Sequence, residues 1–127
     1  AALFSLETLG LRYAGRQPLP KVQGKTAYEI AKEGGKHKGT YDMYTDLPDK
    51  QIRKAIQSFE KNIEMHENLM KDPARYLKEY GKEIDGITWN KLDPRRQRAL
   101  LGHEWPSEIK KFAELKNVME GILKNRK

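Results

Sequence analysis

Between Gly34 and Tyr41 the chain reads GGKHKGTY, an imidazole held between two lysines, with glycines on either side and two hydroxyl residues following. His37 falls on no hydrophobic stripe, so packing gives no reason for it. Lys36 and Lys38 disfavour a third positive charge and so favour the neutral imidazole that a general base needs. The glycines let the backbone approach a phosphate and turn N–H groups toward it. These residue types match RNA cleavage without a metal. A base removes the 2′-hydroxyl proton, a cation offsets charge on the crowded phosphorane, and an acid protonates the departing 5′-oxygen. His37 would be the base or the acid, Lys36 or Lys38 the cation, and Thr40 or Tyr41 a hydrogen-bond donor. The plain alternative is a flexible, solvated basic turn.

The other two histidines have structural explanations. His66 lies between Ile63 and Met70 on an apolar stripe and reads as a packed side chain. His103 follows Gly102 and precedes EWP, where a cation would meet the negative end of a helix dipole. No HNH-like or HExxH spacing occurs and no carboxylates cluster beside His37, so neither a metal nor another cofactor is expected, with metal-dependent hydrolysis through Asp42 and Asp46 as the alternative. A second constellation is NKLDPRRQRALLGHEWP. Lys91, Arg95, Arg96 and Arg98 put four cations within eight residues, against the single acid Asp93. At a helix start these arginines oppose the dipole, so phosphates or an acidic partner surface explain them better, with a solvated charged face as the alternative. Tyr28, Tyr41, Tyr44, Tyr76 and Tyr80 interleave with the basic residues, as stacking of single-stranded RNA requires, although some of them must belong to the core.

The elements that would position these groups are helical. Thr26 and Glu29 form a capping box for TAYEIAKE, with Gly34 as its stop. Pro48 opens the longest segment, where Ile52, Ile56, Phe59, Ile63, His66 and Met70 recur at spacings of four and three. Asp72-Pro73 and Asp93-Pro94 each cap a short helix, stopped at Gly81 and Gly102. The last helix starts near Ser107 and buries Ile109, Phe112, Leu115, Met119, Ile122 and Leu123. Ser5 to Gly10 reads as a short helix, Gly15 to Lys25 as a Pro/Gly loop, and GITW before Asn90 as weakly extended. The expected fold is therefore all-α. It is a compact bundle of two long amphipathic helices, about 48–71 and 107–125, with several short helices filling the ends.

Bulk properties limit the roles open to such a bundle. The chain has 127 residues, a net charge of +7 and no cysteine. That size allows one core, and the charge favours a polyanionic partner. Disulfides, cysteine-ligated zinc and thiol catalysis are excluded. No apolar run approaches a membrane span and no secretory leader is visible. The opening AALFSLETLG, without methionine, reads as a piece of something longer. Residues 1–24 form a lead-in segment and 25–127 the functional domain.

The GGKHKGTY run, LMKDPARY at the end of the long helix, LDPRRQRALLGHEWP and the ending LKNVMEGILKNRK together resemble the C-terminal toxin domains of bacterial polymorphic toxins. The nearest likeness is to the nuclease ends of contact-dependent growth inhibition proteins, over about residues 25–127. Such domains are carried on large secreted cell-surface proteins and act in the cytoplasm of a neighbouring bacterium. A cognate immunity protein neutralises them in the producer. Many cleave tRNA, and some in this group act near the acceptor end with help from elongation factor Tu. The resemblance thus implies a tRNA endonuclease that does not insert into membranes, with the GKHKG run at Gly35–Gly39 as the part of the pattern that maps. Many toxin nucleases have a mixed α/β fold, from which this helical sequence departs. The rival from another class is a non-catalytic basic helical module that binds nucleic acid or protein through its arginine helix.

If the chain holds RNA through phosphates, affinity falls steeply with salt, and charge reversal at Arg95 weakens binding to all sequences alike. Filter binding across a salt series measures the slope. A salt-independent interaction would point to an apolar protein interface.

Overall fold

The computed structural model describes residues 19–81 and 88–126. It contains helices α1 (Ala27–Lys32), α2 (Lys38–Tyr44), α3 (Asp49–Lys71), α4 (Pro73–Glu79), α5 (Pro94–Ala99) and α6 (Trp105–Lys124). A 3₁₀ turn spans Trp89–Lys91, and a π-helical turn over Leu100–Glu104 joins α5 to α6. Among the described residues there is no strand; Val22 and Lys25 form an isolated antiparallel bridge. The fold is all-α, as the helical spacing predicts. The helix expected at Ser5 to Gly10, and Gly86 and Ile87 of GITW, lie outside the described residues; Thr88 is extended and Trp89 begins the 3₁₀ turn.

The two long helices are α3 and α6. They run antiparallel, because the start of α3 meets the end of α6 in one apolar cluster and its end meets the start of α6 in another. The first cluster buries Ala31, Ile52, Val118, Met119 and Ile122, with Tyr28, Tyr41, Tyr44, Ile56 and Phe59 packed on it. The second buries Leu69, Leu77, Leu92, Leu100 and Trp105, with Trp89 stacked on Trp105 at 5.7 Å between ring centres. Each large apolar side chain removed from water contributes about 1.5–3 kcal/mol, so these clusters hold the bundle. His66 is buried between them. Its Nδ1 donates to the Asn62 carbonyl at 2.7 Å, and its ring lies 6.0 Å from that of Phe112.

Caps fix where the helices begin and end. The Thr26–Glu29 capping box is formed, and the Asp72 and Asp93 carboxylates accept from the backbone N–H groups of Arg75 and Arg95. Gly102 does not stop its helix, contrary to expectation. The chain continues through the π turn, in which the Trp105 N–H donates to the Leu100 carbonyl. Pro106 gives the physical reason. It has no N–H, and its ring would collide with the Gly102 carbonyl in a regular α ladder, so the helix widens instead of ending.

Helix α1 lies directly on α6. A Cβ built at Gly121 would stand 2.1 Å from Tyr28 Cγ, so the absence of a side chain sets how closely the helices approach. The Asn117 side-chain oxygen accepts from the Tyr28 backbone N–H at 3.0 Å, satisfying a donor that the first turn of α1 leaves open. Gly39, by contrast, sits inside α2 with open space where a Cβ would go. Gly121→Ala is therefore expected to destabilise the protein by about 1–3 kcal/mol through overpacking. Gly39→Ala is expected to stabilise it by about 0.5 kcal/mol. Urea denaturation of both variants checks the pair, and equal effects would contradict this packing.

Candidate active site

The Gly34–Tyr41 run is a helix cap, a turn and a helix start, not the flexible loop that its glycines imply. Gly34 has φ +99°, its N–H donates to the Ala31 carbonyl, and the Gly35 N–H donates to the Ile30 carbonyl. These two bonds close α1 in a Schellman motif. Gly35 also presses on Ile30, where a Cβ would come within 2.7 Å of Ile30 Cγ2. His37 then takes φ +70° at the position preceding α2, a left-handed conformation that few non-glycine residues adopt. Lys38, Gly39, Thr40 and Tyr41 are already helical.

This turn directs the imidazole onto α6. The His37 side chain is only 13% exposed, and its Nε2 lies 2.9 Å from Glu114 Oε1. The expectation that His37 stands clear of any packed face is therefore corrected. So is the expectation of purely cationic surroundings, because a carboxylate faces the ring. The Lys36 ammonium reaches the same Oε1 oxygen at 2.9 Å while staying largely exposed. Glu114 itself is 8% exposed. Burial raises its pKa, but hydrogen bonds from His37 and Lys36 together with their charges outweigh that, and the net value lies below 4.5.

The remaining candidates separate. Thr40 is half-buried in the first turn of α2, beside His37 in sequence. Tyr41 belongs to the first core cluster, its ring edge-on to Tyr28 at 6.0 Å. Lys38 pairs with Asp42 one turn along α2 and does not join Glu114. Arg96 is held by Glu104, whereas Arg95 and Arg98 are exposed. Helix α5 belongs to the Trp105 end of the bundle. Trp105 is nine residues, about 14 Å, along α6 from Glu114. The structure thus brings Lys36 and His37 together on Glu114, leaves Thr40 one turn away in α2, and places the arginines at the other end.

Glu114 is the residue that sequence reasoning missed. A signal was present: it stands four and eight residues before the buried Val118 and Ile122, so an acid is in phase with an apolar line. A buried carboxylate on such a line needs a cation or a donor facing it. Among the described residues, no group of three or more His, Cys, Asp or Glu side chains is arranged to hold a metal ion. Comparison with protein-family models, curated proteins and solved structures finds no match to this chain.

The lowered Glu114 pKa fixes the sign of a pH effect. A carboxyl group with a folded pKa below its unfolded value stabilises the protein fully above the unfolded value, here about 4.5. That contribution is lost as the pH falls through the folded value. The stability gap between the wild type and Glu114→Gln should accordingly be widest near neutral pH and close on the acid side. Denaturant midpoints over that range measure it. A gap independent of pH would mean that the carboxylate charge is not what His37 and Lys36 recognise.

Proposed function

We propose that this chain is a metal-independent ribonuclease domain of the polymorphic-toxin type, with tRNA as its substrate and His37 as its proton-transfer group. The observation that carries the reading is the His37–Glu114 contact with Lys36 on the same carboxylate. A carboxylate on one ring nitrogen fixes the tautomer and leaves the other nitrogen for chemistry. With Nε2–H donating to Glu114, the Nδ1 lone pair accepts the proton of the substrate 2′-hydroxyl. The 2′-oxygen attacks the adjacent phosphorus, the bond to the 5′-oxygen breaks, and a 2′,3′-cyclic phosphate remains. The 5′-oxygen leaves with a proton from solvent or from the imidazolium just formed.

Lys36 supplies the positive charge for the phosphorane oxygens, since its ammonium is at the surface and already beside the imidazole. Lys38 is engaged by Asp42 and is the weaker candidate. Thr40 suits the hydrogen-bond donor role better than Tyr41, whose ring is committed to the core. Arg95 and Arg98, exposed at the other end, would hold more distant phosphates. The choice of tRNA, delivery into a neighbouring cytoplasm, neutralisation by a cognate immunity protein and assistance by elongation factor Tu rest on the sequence resemblance. The net charge of +7 is compatible with both an RNA and an acidic inhibitor.

A second reading has its own support. Lys36, His37 and Glu114 could serve only to latch the α1–α2 turn onto α6, in a non-catalytic module that binds through Arg95 and Arg98. The two readings part on substitution. For the ribonuclease, His37→Ala lowers tRNA cleavage about 10²- to 10⁴-fold and leaves the helical circular dichroism intact. Glu114→Gln lowers kcat by less and displaces the acid limb of the pH–rate profile. If His37→Ala retains full activity while Arg95→Ala with Arg98→Ala abolishes it, the latch reading stands.

A further inference from the structure

At the end of α2 opposite His37 lies a groove of about 510 Å³, lined by Tyr44 and by Lys50, Gln51, Lys54 and Ala55 of α3. It is an open surface groove rather than an enclosed cleft, with room for one nucleotide lying along it. Lys50 and Lys54 are one helical turn apart on α3 and share a face. Among the described residues, neither ammonium has a carboxylate partner, and the first-turn acid, Asp49, is occupied by Arg53 and Arg126. The helix gives no reason for the lysines, since its dipole favours acids in the opening turns. Tyr44, half-buried against the first core cluster, presents only part of its ring to the groove, and Gln51 adds an amide that can both donate and accept. Cations, a stacking surface and an amide are what a nucleotide requires.

We propose that this groove is a distal nucleotide subsite for the RNA strand cleaved at His37, with a base against Tyr44 and Gln51 and a phosphate at Lys50 and Lys54. Helix α2 sets the spacing. Its seven residues span about 10 Å, the length of about three stacked nucleotides at roughly 3.4 Å each. The proposal rests on the ribonuclease reading and adds the substrate class: a single-stranded segment at least three nucleotides long, not an isolated phosphodiester.

The test compares Lys50→Ala/Lys54→Ala with Lys61→Ala/Lys71→Ala, which removes the same charge from exposed positions elsewhere on α3. With a hexanucleotide substrate, the groove variant should raise KM at least tenfold with kcat unchanged, while the control variant stays near the wild type. With a dinucleotide, which cannot span α2, the two variants should be alike. Equal KM changes for both variants, or an equal loss on the dinucleotide, would overturn the subsite. If the wild type cleaves neither substrate, the ribonuclease reading fails by itself, and fluorescence titration with a labelled hexanucleotide decides the groove alone. Weaker binding in the groove variant than in the control supports it, and equal binding overturns it. Inorganic phosphate serves as the competitor. If it displaces the hexanucleotide from the groove as well as uridine monophosphate does, the groove is an anion site only, and the proposal falls.

Discussion

A carboxylate set into the apolar face of α6 governs the local architecture. Glu114 shares its line on the helix with Val118 and Ile122, and an unpaired charge there would cost several kcal/mol. The chain answers with a turn that delivers two donors to one oxygen, Lys36 from the surface and His37 from beneath. The details of the turn produce that arrangement. Gly34 and Gly35 close α1 tightly, and the left-handed residue at 37 reverses the chain so that the ring faces inward. Hydrogen bonds to a charged group contribute about 1.5–3 kcal/mol each. A left-handed non-glycine residue costs about 1–3 kcal/mol, so the contacts can sustain the strain.

The bundle also separates two kinds of surface. At one end the short helices α1 and α2 lean on α6 and hold the histidine, beside the groove along the start of α3. At the other, α5 and the π turn carry the exposed arginines over a core of leucines and two tryptophans. Rigid helices α3 and α6 keep the ends a fixed distance apart. The C-terminus reinforces the first end. Arg126 donates to the carbonyls of Thr45 and Leu47 and pairs with Asp49, tying the end of α6 to the turn between α2 and α3. Helix α2 is thereby held by α6 at both of its ends, although its seven residues are too few to be stable alone.

The parts of this structure legible in the sequence are those written in local spacing. The stripe from Ile52 to Met70, the Thr26 capping box and the two Asp-Pro caps each depend on residues within a turn or two of one another. The Gly34 stop is legible in the same way, and it closes α1. What local reading misjudged were residues with two possible uses. Gly35 and Gly39 look like loop flexibility but sit in the α1 cap and inside α2, and Gly102 looks like a stop but yields to Pro106. The His37–Glu114 contact joins positions 77 residues apart. No local spacing predicts such a contact. The phase of Glu114 with Val118 and Ile122 marks an acid in need of a partner, but it does not say which cation arrives.

Whether the partner is there for stability or for chemistry turns on what the carboxylate needs. Lys36 alone would give Glu114 an opposite charge, from an unstrained side chain that is long enough to reach. Stability would then favour glycine at position 37, where the backbone is left-handed and no side chain would be strained. The chain instead carries an imidazole there, a side chain whose two ring nitrogens can each donate or accept a proton. It also directs a single ring nitrogen at the carboxylate, and among the described residues the other has no hydrogen-bond partner. Packing accounts for Glu114 having a counter-charge, but not for a second donor of this kind in a conformation that resists it. Proton transfer, as proposed for the ribonuclease reading, would use both.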